Sequence, residues 1–377
     1  MLPGNRTSWR ALVAALAAIV AATGASAQTS AQKPPPSSAQ ATPRPRTPPA
    51  AGLPSDAELQ AAMQKAYTAN KGVTEGKNAD YIPALAKVDP NLFGIAILTV
   101  DGRVFSVGDD SQAFSIQSIS KPFVAARLMS EMGIDKMEEK IGVNATGLPF
   151  NSIEAIERNK TSEDPPTGNP LVNAGAIATV GNLKAANETE RWKSVQGTLS
   201  AFAGRDLPVD DEIYKSEAAT NTRNRSIADL LKAYEVIPGK PAEALDVYTR
   251  QCSVAVNVKD LAAMGATLAA GGLNPLTGKQ VVSADVAART LALMMTAGLY
   301  EDSGTWAFEV GVPAKSGVGG GIVAVVPGKY AVAAFSPPLD KAGNSVRAQR
   351  AIESITKDLG GNVFRVAQRP TPRPAPR

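Results

Sequence analysis

Two runs early in the chain, GIAILTV and RVFSVG, are rich in the β-branched and aromatic residues that suit strands, and Asp101-Gly102 between them is a strong hairpin signal. Ahead of them, Leu59, Met63 and Ala66 are spaced for one buried helical face, with Ser55 or Asp56 as the cap. From about residue 118 to 300 the pattern becomes helical, in PFVAARLMSEM, IADLLKAYEVI, VKDLAAMGATLAAGG and ADVAARTLALMMTAG, and no strong strand signal interrupts it. Strand patterning returns in GIVAVV and KYAVAAF, joined by Pro327-Gly328, and the amphipathic NSVRAQRAIESITKDL closes the core. This order predicts an α+β fold. An antiparallel sheet assembled from N- and C-terminal strands is covered by helices, a mostly helical subdomain is inserted at about 118–300, and a cleft forms where the two meet.

The ends of the chain read differently. Residues 1–27 have the form of a secretory signal peptide, with Arg6 and Arg10 as the positive flank, LVAALAAIVAA as the apolar run and Ala25-Ser26-Ala27 as the cleavage site. That pattern predicts export to the periplasm or outside the cell, with a mature chain starting at Gln28 and no membrane span in it. Residues 28–54 are a Pro-, Ser- and Ala-rich linker, 55–368 the catalytic domain, and 369–377 a Pro/Arg tail of the same extended kind.

Composition narrows the chemistry. The 377 residues carry a formal charge of +4, but the signal, linker and tail hold cations without acids, which leaves the core at −4. A mildly acidic core argues against a nucleic-acid surface. Cys252 is the single cysteine, so no internal disulfide can form. There is no histidine, which excludes a Ser-His-Asp triad and the usual His-containing zinc sites. A general base must then be Lys, Asp, Glu or Tyr.

Ser118 and Lys121, in FSIQSISKPF, are three residues apart and share a helical face. A helix starting at Ser118 aims N–H groups at developing negative charge, and Pro122, without an N–H, fits its first turn. Burial and a neighbouring cation would leave some Lys121 as the neutral amine that can take the serine proton. The spacing alone is weak, because Ser30/Lys33 and Ser354/Lys357 match it too. Only the middle pair follows the predicted hairpin and opens an apolar helix. A second cue is Lys315-Ser316-Gly317, which enters a strand through a glycine run suited to close approach of a ligand or another backbone.

Ser-x-x-Lys early and Lys-Ser-Gly late, around a helical insertion, resemble the serine β-lactamase and penicillin-binding fold. The Ser-x-Asn or Tyr-x-Asn expected between them is absent, which turns the reading away from penicillins. The blocks DYIPALAKVDP, QSISKPF, GNPLVNAGAI, SEAATNTRN, YTRQCS, GLYEDSGTWAFEVGVPAKSGVGGG and SPPLDKAGNSV, over about 80–359, are similar to those of the serine-dependent glutaminases, which share that fold. In GNSVRAQ, Arg347-Ala348 stands where relatives commonly have a glycine.

The resemblance implies hydrolysis of L-glutamine to L-glutamate and ammonia through an acyl-enzyme, without metal or organic cofactor. It implies Ser118 as nucleophile, Lys121 as base and Tyr300 as proton relay. For the substrate it implies Glu217 at the ammonium, Asn173, Asn224 and Tyr248 around the head group, and further contacts from Tyr81 and Val318. The N–H groups of Ser118 and Val318 form the oxyanion hole in this reading, and Lys315 gives electrostatic support. Self-association as a homodimer or homotetramer is also implied. Two other readings remain at this point: a β-lactamase or peptidase-like acyl hydrolase, and a non-catalytic ligand-binding module on the same fold.

Overall fold

The computed structural model describes residues 52–160 and 164–365; the signal-like segment, nearly all of the linker and the C-terminal tail lie outside the described residues. The first helix, Asp56–Asn70, is capped by Ser55, which accepts from the Glu58 N–H while Glu58 accepts from the Ser55 N–H at 2.8 Å. This reciprocal arrangement satisfies N–H groups that a helix start leaves open. Leu59, Met63 and Ala66 are buried, as their spacing predicts.

The strands are β1 (Gly94–Thr99), β2 (Val104–Gly108), β3 (Phe114–Ser115), β4 (Ala255–Val256), β5 (Ala314–Gly317), β6 (Gly321–Val326) and β7 (Tyr330–Phe335). Five form one antiparallel sheet in the order β2-β1-β7-β6-β5. The last strand is its centre, so the two ends of the domain zip together: Ile95 lies opposite Ala334 and Ile97 opposite Val332. This is the α+β sheet the pattern predicts.

β1, β6 and β7 are buried along their whole lengths, and the period-2 alternation sorts their side chains onto two faces. Ile95, Ile97, Ile322, Val332 and Ala334 join the first and last helices through Leu59, Ala66, Ile352 and Ile355. Ala96, Leu98, Val323, Ala331 and Ala333 join the helical region through residues such as Phe123, Leu261 and Met264. Burying each large aliphatic side chain contributes roughly 1.5–3 kcal/mol, so a sheet covered on both faces anchors the domain.

The four helices read from periodicity form as Lys121–Met132, Thr222–Ala233, Val258–Ala269 and Ala284–Ala297. Others fill the spaces between them. Asn173–Asn182 is buried from Asn173 through Gly181, so it has no polar face for periodicity to reveal. Two details differ from the pattern. The helical region contains β4, which pairs with β3 through Ser115 opposite Ala255, and a two-residue strand is too short to leave a period. Lys315-Ser316-Gly317 is also itself part of an edge strand, β5, with the glycine run forming the turn into β6.

The sheet's small residues let a helix approach closely. A Cβ placed on Gly265 would lie 2.7 Å from both the Ala331 Cβ and a Val323 methyl. Gly265→Val should therefore destabilise the protein by about 2 kcal/mol or more. Gly197→Ala, on a helix position with nothing within 4 Å of the new methyl, should leave it unchanged or up to about 1 kcal/mol more stable. Urea unfolding checks both, and equal effects would refute the packing argument.

Candidate active site

The chain leaves β3 and turns at Gln117, whose φ of +50° is left-handed, into a single 3-10 turn, Gln117–Ser120. The helix Lys121–Met132 follows directly. Ser118 therefore stands in the 3-10 turn rather than opening the α-helix, and Lys121 is the helix's first residue. Ser120 Oγ closes the turn by donating to the Gln117 carbonyl at 2.6 Å and accepts from Gln251 Nε2 at 2.9 Å. Pro122 sits in the first helical turn, where its missing N–H costs least.

Ser118 is 6 % exposed and Lys121 1 %. In the terminal helix, by contrast, Lys357 is exposed and Ser354 half-buried; Ser30 and Lys33 lie outside the described residues. Lys121 Nζ donates to Asn173 Oδ1 at 2.7 Å and to the Leu171 carbonyl at 3.2 Å, and no carboxylate lies within ion-pair distance among the described residues. Its other neighbours include the rings of Phe150 and Tyr248, each 5.9 Å from the nitrogen. Burial lowers its pKa to about 8, against a smaller opposing pull from Cys252. A useful fraction of free amine then exists near neutral pH.

GNPLVNAGAI supplies both acceptors. Asn173 opens the helix Asn173–Asn182, accepts from the Tyr248 hydroxyl at 3.3 Å and donates to Asn224 Oδ1 at 2.9 Å. Lys121, Asn173, Asn224 and Tyr248 thus form one network from four helices.

Tyr300 lies on the other side, also left-handed at φ +53°. Its hydroxyl donates to the Ser316 carbonyl at 3.3 Å and lies close enough to the Ser118 side chain to interact with it. Lys315 Nζ sits 4.4 Å over the Tyr300 ring and donates to the carbonyls of Gly298 and Ser316 at 2.9 and 2.7 Å. Burial raises the Tyr300 phenol far above its usual range. It pulls Lys315 well below the usual range for lysine, with a further push from the Lys121 charge. Burial, not a charge on Lys315, is what depresses Lys121.

Val318 is in the turn from β5 to β6. A Cβ on Gly319 would meet the Ser115 carbonyl at 2.5 Å, so the glycine lets this turn press against the backbone that leads into Ser118. Neither the Ser118 nor the Val318 N–H has a protein acceptor among the described residues. Two uncommitted donors at one nucleophile are what an oxyanion hole requires.

Glu217, on the helix Asp211–Thr220, is half-buried and accepts a hydrogen bond from Gln117 Nε2. Burial of the carboxyl raises its pKa to about 7, and the Gln117 bond counters this in part. Tyr81 is 57 % exposed at the mouth, close enough to Glu217 and Tyr300 for their charges to interact. All ten residues singled out in the sequence thus come together around one cleft. Gln117 and Phe150 were missed. Gln117 is next to Ser118 in QSISKPF, but no spacing marks a glutamine as left-handed, and Phe150 reads as an ordinary loop aromatic until it packs on the Tyr300 ring at 4.6 Å.

A cavity of about 1310 Å³, with Arg127, Lys184, Ser194 and Arg205 among its lining residues, shares none of these residues. A smaller one, about 190 Å³, has Phe150, Leu171 and Tyr300 in its wall. No group of three metal-ligating side chains comes together among the described residues.

An antiparallel sheet packed by helices, with Ser-x-x-Lys at the foot of the first helix after the hairpin, defines the class: a hydrolase of the β-lactamase-like fold. Comparisons with known proteins narrow it. The family model described as Glutaminase matches residues 76–364. A glutaminase of Colwellia psychrerythraea is 54 % identical over 306 residues, covering 81 % of this chain and 97 % of that protein. One from Brucella canis is 51 % identical over 81 % of this chain and 95 % of its own. Among solved structures, the probable glutaminase ybaS superposes with a TM-score of 0.81 at 48 % identity, covering 83 % of this chain and all of its own. A probable glutaminase from Bacillus subtilis complexed with 6-diazo-5-oxo-L-norleucine gives 0.71 at 30 %, over 82 % and 96 %. The chain belongs to the glutaminase family and is an L-glutamine amidohydrolase.

The two titrations act in one direction. With Lys121 as the base and Glu217 as the ammonium site that the resemblance implies, kcat/KM should climb through pH 7 and level off above about 8. Initial rates of ammonia release from pH 5.5 to 9.5 check this, and a profile already flat at pH 6 would count against Lys121 as the base.

Proposed function

We propose that Ser118 and Lys121 carry out the glutamine hydrolysis through an acyl-enzyme. Neutral Lys121 takes the Ser118 proton as Oγ attacks the side-chain amide carbon, and the N–H groups of Ser118 and Val318 hold the oxyanion. The C–N bond then breaks, and the departing nitrogen receives a proton from the Lys121 ammonium, directly or through Tyr300, and leaves as ammonia. Water attacks the ester with Lys121 again as base; Ser118 recovers its proton and L-glutamate is released. The observation that carries this reading is a fully buried lysine with only neutral acceptors, one helical turn from a buried serine.

For recognition, the ionised Glu217 meets the substrate ammonium. Asn173, Asn224, Tyr248 and Tyr81 surround the head group with neutral groups, and the Asn224 amide nitrogen donates to no protein acceptor among the described residues. Lys315 keeps the Tyr300 hydroxyl and the Ser316 carbonyl in place.

Ser118→Ala and Lys121→Ala should each lower kcat/KM for L-glutamine by about 10³-fold or more with the fold retained. Ammonia release that survives Ser118→Ala would sink the mechanism. Offering L-asparagine and a chromogenic cephalosporin alongside tests the acyl-hydrolase alternative, which gains only if the cephalosporin is turned over and glutamine is not.

The same reading places the mature protein outside the cytoplasm, as a homodimer or homotetramer. The support for export is the signal-like segment at residues 1–27, and the support for self-association is the family resemblance. N-terminal sequencing of the protein from a periplasmic or secreted fraction should start at Gln28, and light scattering should give a multiple of the monomer mass. An intact Met1 or a monomer mass removes the corresponding half of this reading.

A further inference from the structure

Segment 73–91 runs from the end of the first helix to β1 and carries Tyr81 to the mouth of the site. Both of its ends are tied to one side chain. Arg347, 3 % exposed at the start of the last helix, donates through Nε to the Val73 carbonyl at 2.6 Å. Its Nη1 reaches the carbonyls of Pro90 and Asn91 at 3.1 and 3.2 Å, and Ser336 Oγ at 3.4 Å. Its hydrogen-bond partners are all neutral oxygens, and burial outweighs the pull of the Asp89 charge on this guanidinium.

Between its ends the segment is attached at three further points. Arg350, on the same last helix, pairs through Nη2 with Glu75 Oε2 at 2.6 Å at the exposed surface, Lys77 and Leu339 exchange backbone hydrogen bonds at 2.9 Å, and Ala84 N–H donates to Ser216 Oγ at 3.2 Å, next to Glu217. Ala79, Ile82 and Leu85 press against Ile213, Tyr300 and Val318. Behind it is a cavity of about 410 Å³ bounded by residues that include Asn78, Val88, Pro338 and Arg347. Ala79, Ile82 and Leu85 pack the middle of the segment against the site, and the two pinned ends fix where its roots leave the core.

We infer that Arg347 is a positioning residue for substrate binding: by holding both ends of segment 73–91 it sets where Tyr81 meets the cleft. A guanidinium suits this because its rigid planar fork can serve carbonyls from two distant stretches of chain, which a lysine's single nitrogen does poorly. Removing it takes the guanidinium donor away from part-buried carbonyls at both roots of the segment. The inference rests on the reading of Tyr81 as a substrate contact.

The test is KM and kcat for L-glutamine in the wild type, Arg347→Met, Arg347→Lys, Tyr81→Ala and the double variant Tyr81→Ala/Arg347→Met, below each variant's Tm. Arg347→Met should raise KM about 10-fold with kcat within about 2-fold, and should add less than about 2-fold when Tyr81 is already alanine. Hydrogen exchange should quicken in 74–90 while β1 and β7 keep their protection. A wild-type KM in Arg347→Met, an equal KM rise with and without Tyr81, or loosening spread across the sheet overturns the inference. Arg347→Lys, the milder change, gives the same reading if the methionine variant does not fold: a raised KM with local loosening supports the clamp, and an unchanged KM refutes it. Tyr81→Ala with unchanged KM strikes the Tyr81 reading and the clamp with it, whereas a raised KM there with Arg347→Met silent strikes the clamp alone.

Discussion

The Lys121 ammonium is buried without a carboxylate, and the rest of the site is arranged around that fact. An unpaired charge in a low-dielectric interior is expensive, and the group escapes most of the cost by giving up its proton. A carboxylate partner would have held the proton on; the Leu171 carbonyl and Asn173 Oδ1 solvate the nitrogen without doing so. In a chain with no histidine, this is how a side chain of ordinarily high pKa becomes a base near neutrality. Lys315 obeys the same physics deeper in, bonded only to carbonyls and lying against the Tyr300 ring.

Two left-handed residues flank the nucleophile, Gln117 on one wall and Tyr300 on the other. Such a conformation costs a non-glycine residue roughly 1–2 kcal/mol and persists only where its surroundings over-determine it. Gln117 is held by its hydrogen bonds to Ser115 and Glu217, and Tyr300 by Phe150, Lys315 and the edge strand. The stability that tolerates this strain comes from the sheet, whose central strands are buried on one face by the first and last helices and on the other by the helical region. The scaffold and the site therefore divide the work, with regular and well-packed structure in the sheet supporting irregular turns at its edge.

Ionisable groups are set apart by depth in the cleft. Glu217, half-buried, keeps enough contact with Gln117 to ionise near pH 7, and a neighbouring cation would favour that form further. Tyr300 and Tyr248, fully enclosed, stay protonated as hydrogen-bond donors. One cleft thus holds a carboxylate, a partly neutral amine and neutral hydroxyls close together without a metal-ligating cluster among the described residues.

Local pattern determined a great deal here. The hairpins around Asp101-Gly102 and Pro327-Gly328, the Ser55 cap and the four periodic helices depend on neighbours within a few residues, and all of them appear in the structure. The collinear blocks also carried the identities of Ser118, Lys121, Glu217 and Tyr300, since a resemblance preserves residue type even where spacing says nothing. Contacts between distant segments were not legible. The β3–β4 pair and the hold of Arg347 on segment 73–91 join residues far apart in sequence, while the short edge strand at Lys315 and the left-handed turn at Gln117 leave no periodicity to read. Chemistry followed the same division: the sequence named a lysine as the available base, but whether that lysine could be neutral depended on burial and on the charge of its partners, and only the packed fold determines those.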